Sequence, residues 1–147
     1  MIEYGLDGLG DLGAAVAKRL RPGDVIGLSG PLGAGKTTLA RAILMELGLK
    51  GEAPSPSFAI VQPYDPPEVA MPLLHVDLYR IEYPDEIEEL GLYEDIAHRA
   101  LLIEWPERMA GRTPREMLHL TIENVGEDRR RLTASVPPAW EGRWPPQ

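Results

Sequence analysis

Gly30-Pro31-Leu32-Gly33-Ala34-Gly35-Lys36-Thr37 has the form G-x-x-x-x-G-K-T. An apolar run, Val25-Ile26-Gly27-Leu28, precedes it, and a segment with helical periodicity, Thr38 to Leu47, follows it. Strand, loop and helix in that order are the setting of a phosphate-binding loop. Glycines let the backbone turn its N–H groups inward to make an anion nest. The helix N-terminus adds unpaired N–H groups and the positive end of its dipole. Lys36 then reaches the β- and γ-phosphates, and the Thr37 hydroxyl is a ligand for Mg²⁺. The stretch predicts a nucleoside triphosphate site in an α/β domain.

Upstream, Leu9, Leu12, Val16 and Leu20 recur at helical spacing and predict a helix from Leu9 to Leu20. Arg21-Pro22-Gly23-Asp24 stops it. The strand Val25–Ser29 is continuous and apolar, as a strand buried on both faces should be. Beyond the loop, Leu39, Ala42, Ile43 and Leu47 form a buried stripe, with Gly48 as C-cap. Ala59–Gln62 reads as a strand, and residues 63–72 as a connection, because their four prolines are hostile to a sheet interior. Leu73-Leu74-His75-Val76-Asp77 and Leu101-Leu102-Ile103-Glu104 are two further apolar runs, each ending in a carboxylate. A short helix is expected at Pro84–Ile87, another helical piece at Leu92–Ala97, and a helical turn at Pro106–Met109. Met117–Ile122 and Arg131–Val136 flank a turn at Gly126-Glu127-Asp128 and predict an antiparallel hairpin. The domain is expected to span residues 1–136, with 137–147 a Pro/Trp-containing tail, either disordered or packed by Trp140 and Trp144.

Composition narrows the function. At 147 residues the chain is one domain by length. A net charge of −8 argues against a nucleic-acid coat and favours protein partners. Arginine outnumbers lysine 12 to 3. The absence of cysteine excludes disulfides, thiol chemistry and cysteine-based zinc sites, and fits a cytoplasmic protein. No apolar run approaches the roughly 18 residues of a membrane span, and the N-terminus lacks the pattern of a signal peptide. His75, His98 and His119 form no ligand pair at helical spacing and read as structural.

A triphosphate site needs a carboxylate for Mg²⁺ and a group that orients the attacking water. Both belong at the carboxyl ends of strands beside the loop. Asp77 and Glu104 fit, and spacing alone leaves open which takes the metal. Ser55-Pro56-Ser57 occupies the position of a switch loop. Arg129-Arg130-Arg131 offers a guanidinium for the phosphates. The acidic run Asp85 to Glu89 reads as a solvated helix face or a contact for a basic partner.

Gly30–Thr38, Ser55-Pro56-Ser57-Phe58, His75-Val76-Asp77-Leu78-Tyr79-Arg80 and Leu102-Ile103-Glu104-Trp105-Pro106-Glu107 together resemble the TsaE (YjeE) family in order and spacing, over most of the chain. The resemblance implies a mixed sheet flanked by helices and a small P-loop ATPase using ATP and Mg²⁺. It implies a role in making threonylcarbamoyladenosine beside the anticodon of tRNA, with TsaB and TsaD as partners and tRNA met through that complex. ATP hydrolysis would reset the complex, weakly alone and faster with the partners. By the same resemblance Gly33, Ala34, Gly35, Lys36, Thr37 and Thr38 hold the phosphates, with Lys36 and Asp77 catalytic. Thr37 and Glu104 hold the metal, Trp105 lies near the nucleotide, Ser57 is a switch position and Arg129 is a nucleotide contact. The family often has Gly-Asp where this chain has Gly30-Pro31, and many members have a nucleotide-holding Thr where this chain has Leu9. The competing readings are a small-molecule or nucleotide kinase, which would need a lid and an acceptor pocket, and a nucleotide-binding scaffold with little hydrolysis.

Overall fold

The computed structural model describes residues 2–51, 61–111 and 113–144. In chain order the elements are β1 (Ile2–Gly5), α1 (Leu9–Arg19), β2 (Val25–Ser29), α2 (Lys36–Glu46), β3 (Val61–Tyr64), β4 (Leu73–Asp77), α3 (Asp85–Glu88), β5 (Ala100–Glu104), β6 (Leu118–Gly126) and β7 (Arg129–Ser135). The strands form one mixed sheet in the order β1-β7-β6-β2-β5-β4-β3. β2 is parallel to β5 on one side and to β6 on the other, and β4 is parallel to β5. β3 closes one edge antiparallel to β4, and β7 and β1 add antiparallel strands beyond β6. Every residue of β2, β4 and β5 is buried, which is why their sequences are apolar apart from Ser29, His75, Asp77 and Glu104.

Strand alternation divides the core in two. Ile26, Leu28, Leu102 and Leu120 pack with Leu12 and Val16 of α1 and Leu39 and Ile43 of α2. Val25, Leu101, Ile103 and Val76 face the other way, toward Ile87 of α3, Leu92 and Met109. The two long helices meet at Gly13, where a Cβ would stand 2.7 Å from that of Ala42. Glycine weakens a helix by roughly 0.5–1 kcal/mol relative to alanine, and here it allows α1 to approach α2.

The structure departs from the expectations in four places. β1 has no clear sequence signal, because four residues cannot establish a period; it forms by pairing Ile2 with Leu132 of β7. β3 runs through Pro63, which lies opposite Leu74 in register. An edge strand accepts proline because the missing N–H would face solvent. The helical piece expected at Leu92–Ala97 reduces to a 3₁₀ turn at Ile96–His98, because Asp95 takes a left-handed φ of 56° that interrupts helix geometry. α2 begins at Lys36, two residues earlier than expected.

The C-terminal segment is packed as far as it is described. A 3₁₀ turn at Pro138–Trp140 drives the Trp140 indole into the α1/α2 side of the core, where it is fully buried. Arg143 lies over that ring, 4.0 Å from its centroid, and donates to both carboxylate oxygens of Asp24, at 2.8 and 2.9 Å. It also donates to the carbonyl of Arg19 at 2.7 Å. The segment therefore ties down the turn between α1 and β2, which places the strand that carries the phosphate loop.

Candidate functional site

The loop of residues 30–35 runs from the last residue of β2 to the first of α2. Gly30 has a φ of 148°, and a Cβ there would sit 2.5 Å from the carbonyl oxygen of Ile122, so only glycine lets the chain leave β2 past β6. Gly33 and Gly35 take φ values of 79° and 102°. The last of these is the N-cap of α2 and turns the first N–H groups of the helix toward the cleft. The cleft holds about 450 Å³ and is lined by Gly33, Gly35, Lys36, Thr37 and Thr38, with Asp77, Glu104, Trp105 and Arg130 around them. A cavity of about 480 Å³ on the α3 side is lined mainly by apolar residues such as Ile87, Leu92 and Met109, with Glu88 and Glu94 at its walls. Size does not separate the two, but only the first offers cations and backbone donors to an anion.

Lys36 is buried, and its ammonium donates to the carbonyls of Gly30 at 2.6 Å and Pro31 at 3.0 Å. It also stands 4.1 Å from the centroid of the Trp105 ring. Burial draws its pKa below the ordinary lysine value, while Glu104, Glu107 and Asp77 oppose that shift. The sharp turn after β5 presents the Trp105 ring. Trp105 has a φ of 62° and donates its backbone N–H to Leu28 at 3.1 Å. Left-handed backbone at a bulky residue costs on the order of 1–3 kcal/mol, and such strain clusters at ligand sites. Tyr79 flanks the indole with its ring centroid 5.0 Å away.

Asp77 and Glu104 are directly opposite each other in the β4/β5 register. Thr37 donates its hydroxyl to one Glu104 oxygen at 2.6 Å, and His75 Nε2 meets the other at 2.7 Å. Asp77 accepts the backbone N–H of Tyr79 at 2.9 Å. Burial raises the Asp77 pKa above its ordinary value; the Tyr79 N–H opposes this and Glu104 adds to it. The sequence left these two carboxylates interchangeable, whereas the fold gives them different partners. Among the described residues no three acidic or histidine side chains converge as a ready metal cage. The Thr37 and Glu104 oxygens instead form a hard donor pair beside the loop, suited to a cation that takes its remaining ligands from phosphates and water.

The raised Asp77 value has a measurable consequence. Unfolded, the group ionises near 3.8; folded, it keeps its proton to higher pH. Stability therefore falls as pH rises through that window, and the penalty is complete above it. Asn keeps an oxygen for the Tyr79 N–H but carries no charge. Asp77→Asn should melt higher than the wild type at pH 7, with the gap closing toward pH 4. Thermal melts across that range test it, and equal melting points at pH 7 would refute the desolvation argument.

The last hairpin supplies a cation at the loop. Arg130 donates Nε to the Ala34 carbonyl at 2.9 Å and lines the cleft. Arg129 is exposed and borders a separate surface recess with Glu3, Asp7 and Asp11. Strand alternation sends neighbouring arginines to opposite faces, so three in a row cannot be told apart by composition. Ser57 lies outside the described residues. Three site neighbours carried no sequence signal of a role: Ser29 Oγ lies 2.6 Å from His119 Nε2 and donates to Glu107 at 3.3 Å, joining β2, β6 and the turn after Trp105. His75 was legible in principle, since it sits two residues before Asp77 and shares its face of β4.

Comparison with known proteins gives a consistent picture. A family model described as "Threonylcarbamoyl adenosine biosynthesis protein TsaE" matches residues 6–132. The chain is 38% identical over 143 residues to the tRNA threonylcarbamoyladenosine biosynthesis protein TsaE of Streptomyces coelicolor, covering 86% of this chain and 95% of that one. It is 41% identical over 123 residues to the protein of the same name from Bacillus subtilis, covering 83% and 73%. Among solved structures it is similar to YdiB of Bacillus subtilis, with a TM-score of 0.78 and 28% identity, over 97% of this chain and 90% of that one.

Proposed function

This chain belongs to the TsaE family of P-loop proteins of tRNA threonylcarbamoyladenosine biosynthesis, and from that premise we propose that it is a Mg²⁺-dependent ATPase acting on a TsaB–TsaD pair as a partner-controlled switch. One observation carries the reading: a buried lysine at the mouth of an N–H-lined loop, beside the Thr37–Glu104 oxygen pair and Asp77. Thr37 and Glu104 would hold Mg²⁺, which would supply positive charge to offset that of the phosphates. The loop N–H groups and the α2 N-terminus bind the β-phosphate. Lys36 leaves the Gly30 and Pro31 carbonyls for the terminal phosphate, and Arg130 steadies the loop through Ala34. Asp77 orients the attacking water, and its raised pKa makes it a better proton acceptor than an exposed carboxylate. Trp105 and Tyr79 wall the cleft. A shallow recess shares Gly35, Thr38 and Arg130 with the cleft and is otherwise bounded by Tyr4, Leu6, Leu9 and Asp128. It would receive the nucleoside end, with Leu9 offering apolar contact. The net charge of −8 supports contact with tRNA through the partners rather than directly.

The test is an ATPase assay on the chain alone and with purified TsaB–TsaD, with a panel of small phosphate acceptors alongside. Slow turnover that accelerates with the pair is the expected result. Phosphate transfer to an acceptor would replace this reading with a kinase. Binding of ATP with no hydrolysis in any mixture would reduce the chain to a scaffold.

A further inference from the structure

His75 is the one fully buried ionisable side chain among the described residues, with no exposed surface at all. The β4/β5 register places it beside Leu102, one alternation step before the Asp77–Glu104 pair, on the sheet face that α2 covers. Its Nε2 is 2.7 Å from Glu104 Oε2, while Thr37 occupies Oε1. Its Nδ1 is buried and has no partner. A carboxylate has no proton to give, so Nε2–H is the donor.

We propose that His75 is a positioning residue for Glu104, and through it sets how tightly the cleft holds its divalent cation. The proposal rests on the reading of Thr37 and Glu104 as the cation site. A glutamate has three side-chain torsions, and Thr37 alone fixes only one of its oxygens. The imidazole takes the other and leaves the carboxylate one orientation, with Oε1 toward the loop. The ring is held by core packing on all sides, so it cannot follow if Glu104 turns. Loss of a comparable outer partner of a metal ligand typically weakens metal affinity about 10–100-fold. A purely structural histidine would instead lower stability and affect nucleotide binding with and without metal alike.

The experiment is calorimetric titration of ATP into the full chain, first in EDTA and then over a range of Mg²⁺ concentrations. His75→Phe keeps the ring and loses the donor. Its ATP affinity in EDTA should stay within about twofold of the wild type, while the Mg²⁺ concentration for half-maximal enhancement rises about 10–100-fold. His75→Gln places an amide nitrogen where Nε2 was and should restore the wild-type value to within a few-fold. If His75→Phe does not fold, His75→Asn, polar but too short to reach Oε2, should show the same rise. An unchanged Mg²⁺ requirement in a folded Phe or Asn variant overturns the proposal, as does an equal loss of ATP affinity in EDTA. A wild-type chain indifferent to Mg²⁺, or a Glu104→Ala variant that keeps the full enhancement, overturns instead the cation site on which the proposal stands.

Discussion

Lys36→Ala should lose ATP hydrolysis by at least about 10²–10³-fold, or roughly 2.7–4 kcal/mol of transition-state stabilisation, while the protein remains folded. The two halves of that expectation have separate causes. Turnover falls because the ammonium is the point charge of the loop, and neither the N–H nest nor Arg130 can move to replace it. Stability holds because the same ammonium is buried and desolvated in the free protein. A lysine whose folded pKa is lowered weakens the folded state at every pH below that value, and alanine removes this term. What alanine forfeits is two hydrogen bonds to the Gly30 and Pro31 carbonyls, the Trp105 ring contact and the attraction of the nearby carboxylates. The melting point should therefore stay level or rise as activity disappears. The Trp105 ring reports the same event, since the ammonium stands 4.1 Å from its centroid before nucleotide arrives. ATP should change Trp105 emission in the wild type and change it less in Lys36→Ala, with Trp105→Phe as the control for Trp140 and Trp144. Retention of turnover within about threefold, against the two or three orders expected for one such donor, would remove the phosphate site from this loop.

Trp140→Ala should be the most destabilising single change outside the cleft, by about 3–5 kcal/mol. The indole is fully buried among residues of the α1/α2 core, and its loss leaves a cavity the size of two rings that the sheet cannot close. The Arg143 guanidinium would lose the ring it covers, which loosens its hold on Asp24 at the turn before β2. In a domain of this size each kcal/mol lowers Tm by roughly 2–4 °C, so a fall of about 6–20 °C is expected. Trp140→Phe should cost far less, because it keeps most of the volume and removes an indole N–H that has no partner in the core. Urea unfolding measures both variants. A midpoint shift worth under about 1 kcal/mol for Trp140→Ala would mean that the C-terminal segment adds little to the core, against the usual cost of such a cavity.

Much of the architecture is legible in the sequence. The largely apolar runs at residues 25–29, 73–77 and 101–104 became parallel strands because only strands covered on both faces can be apolar at nearly every position. The helical stripe of Leu39, Ile43 and Leu47 became the buried face of α2 and its end. What escaped detection was short or shared. β1 and the continuation of β3 through Pro63 exist because a neighbouring strand pairs with them, and a four-residue stretch does not show such pairing by itself. Trp140 gave no sign of its direction, since proline-flanked tryptophans serve equally in a packed tail and a loose one.

The candidate site divides along the same line. Local sequence alone determined the phosphate loop, because an anion nest is built from consecutive backbone N–H groups and needs only glycines, a following helix and a lysine at fixed spacing. Tertiary structure decided everything that approaches the loop from elsewhere. It set Glu104, not Asp77, against Thr37, although both end apolar strands. It chose Arg130 from three adjacent arginines by the alternation of one strand. It brought His75, which alone would pass for core packing, within 2.7 Å of the carboxylate. The physical reason is that charge and hydrogen-bond partners are selected by register between strands separated by dozens of residues, and register is fixed by the packing of the whole sheet rather than by any one stretch of sequence.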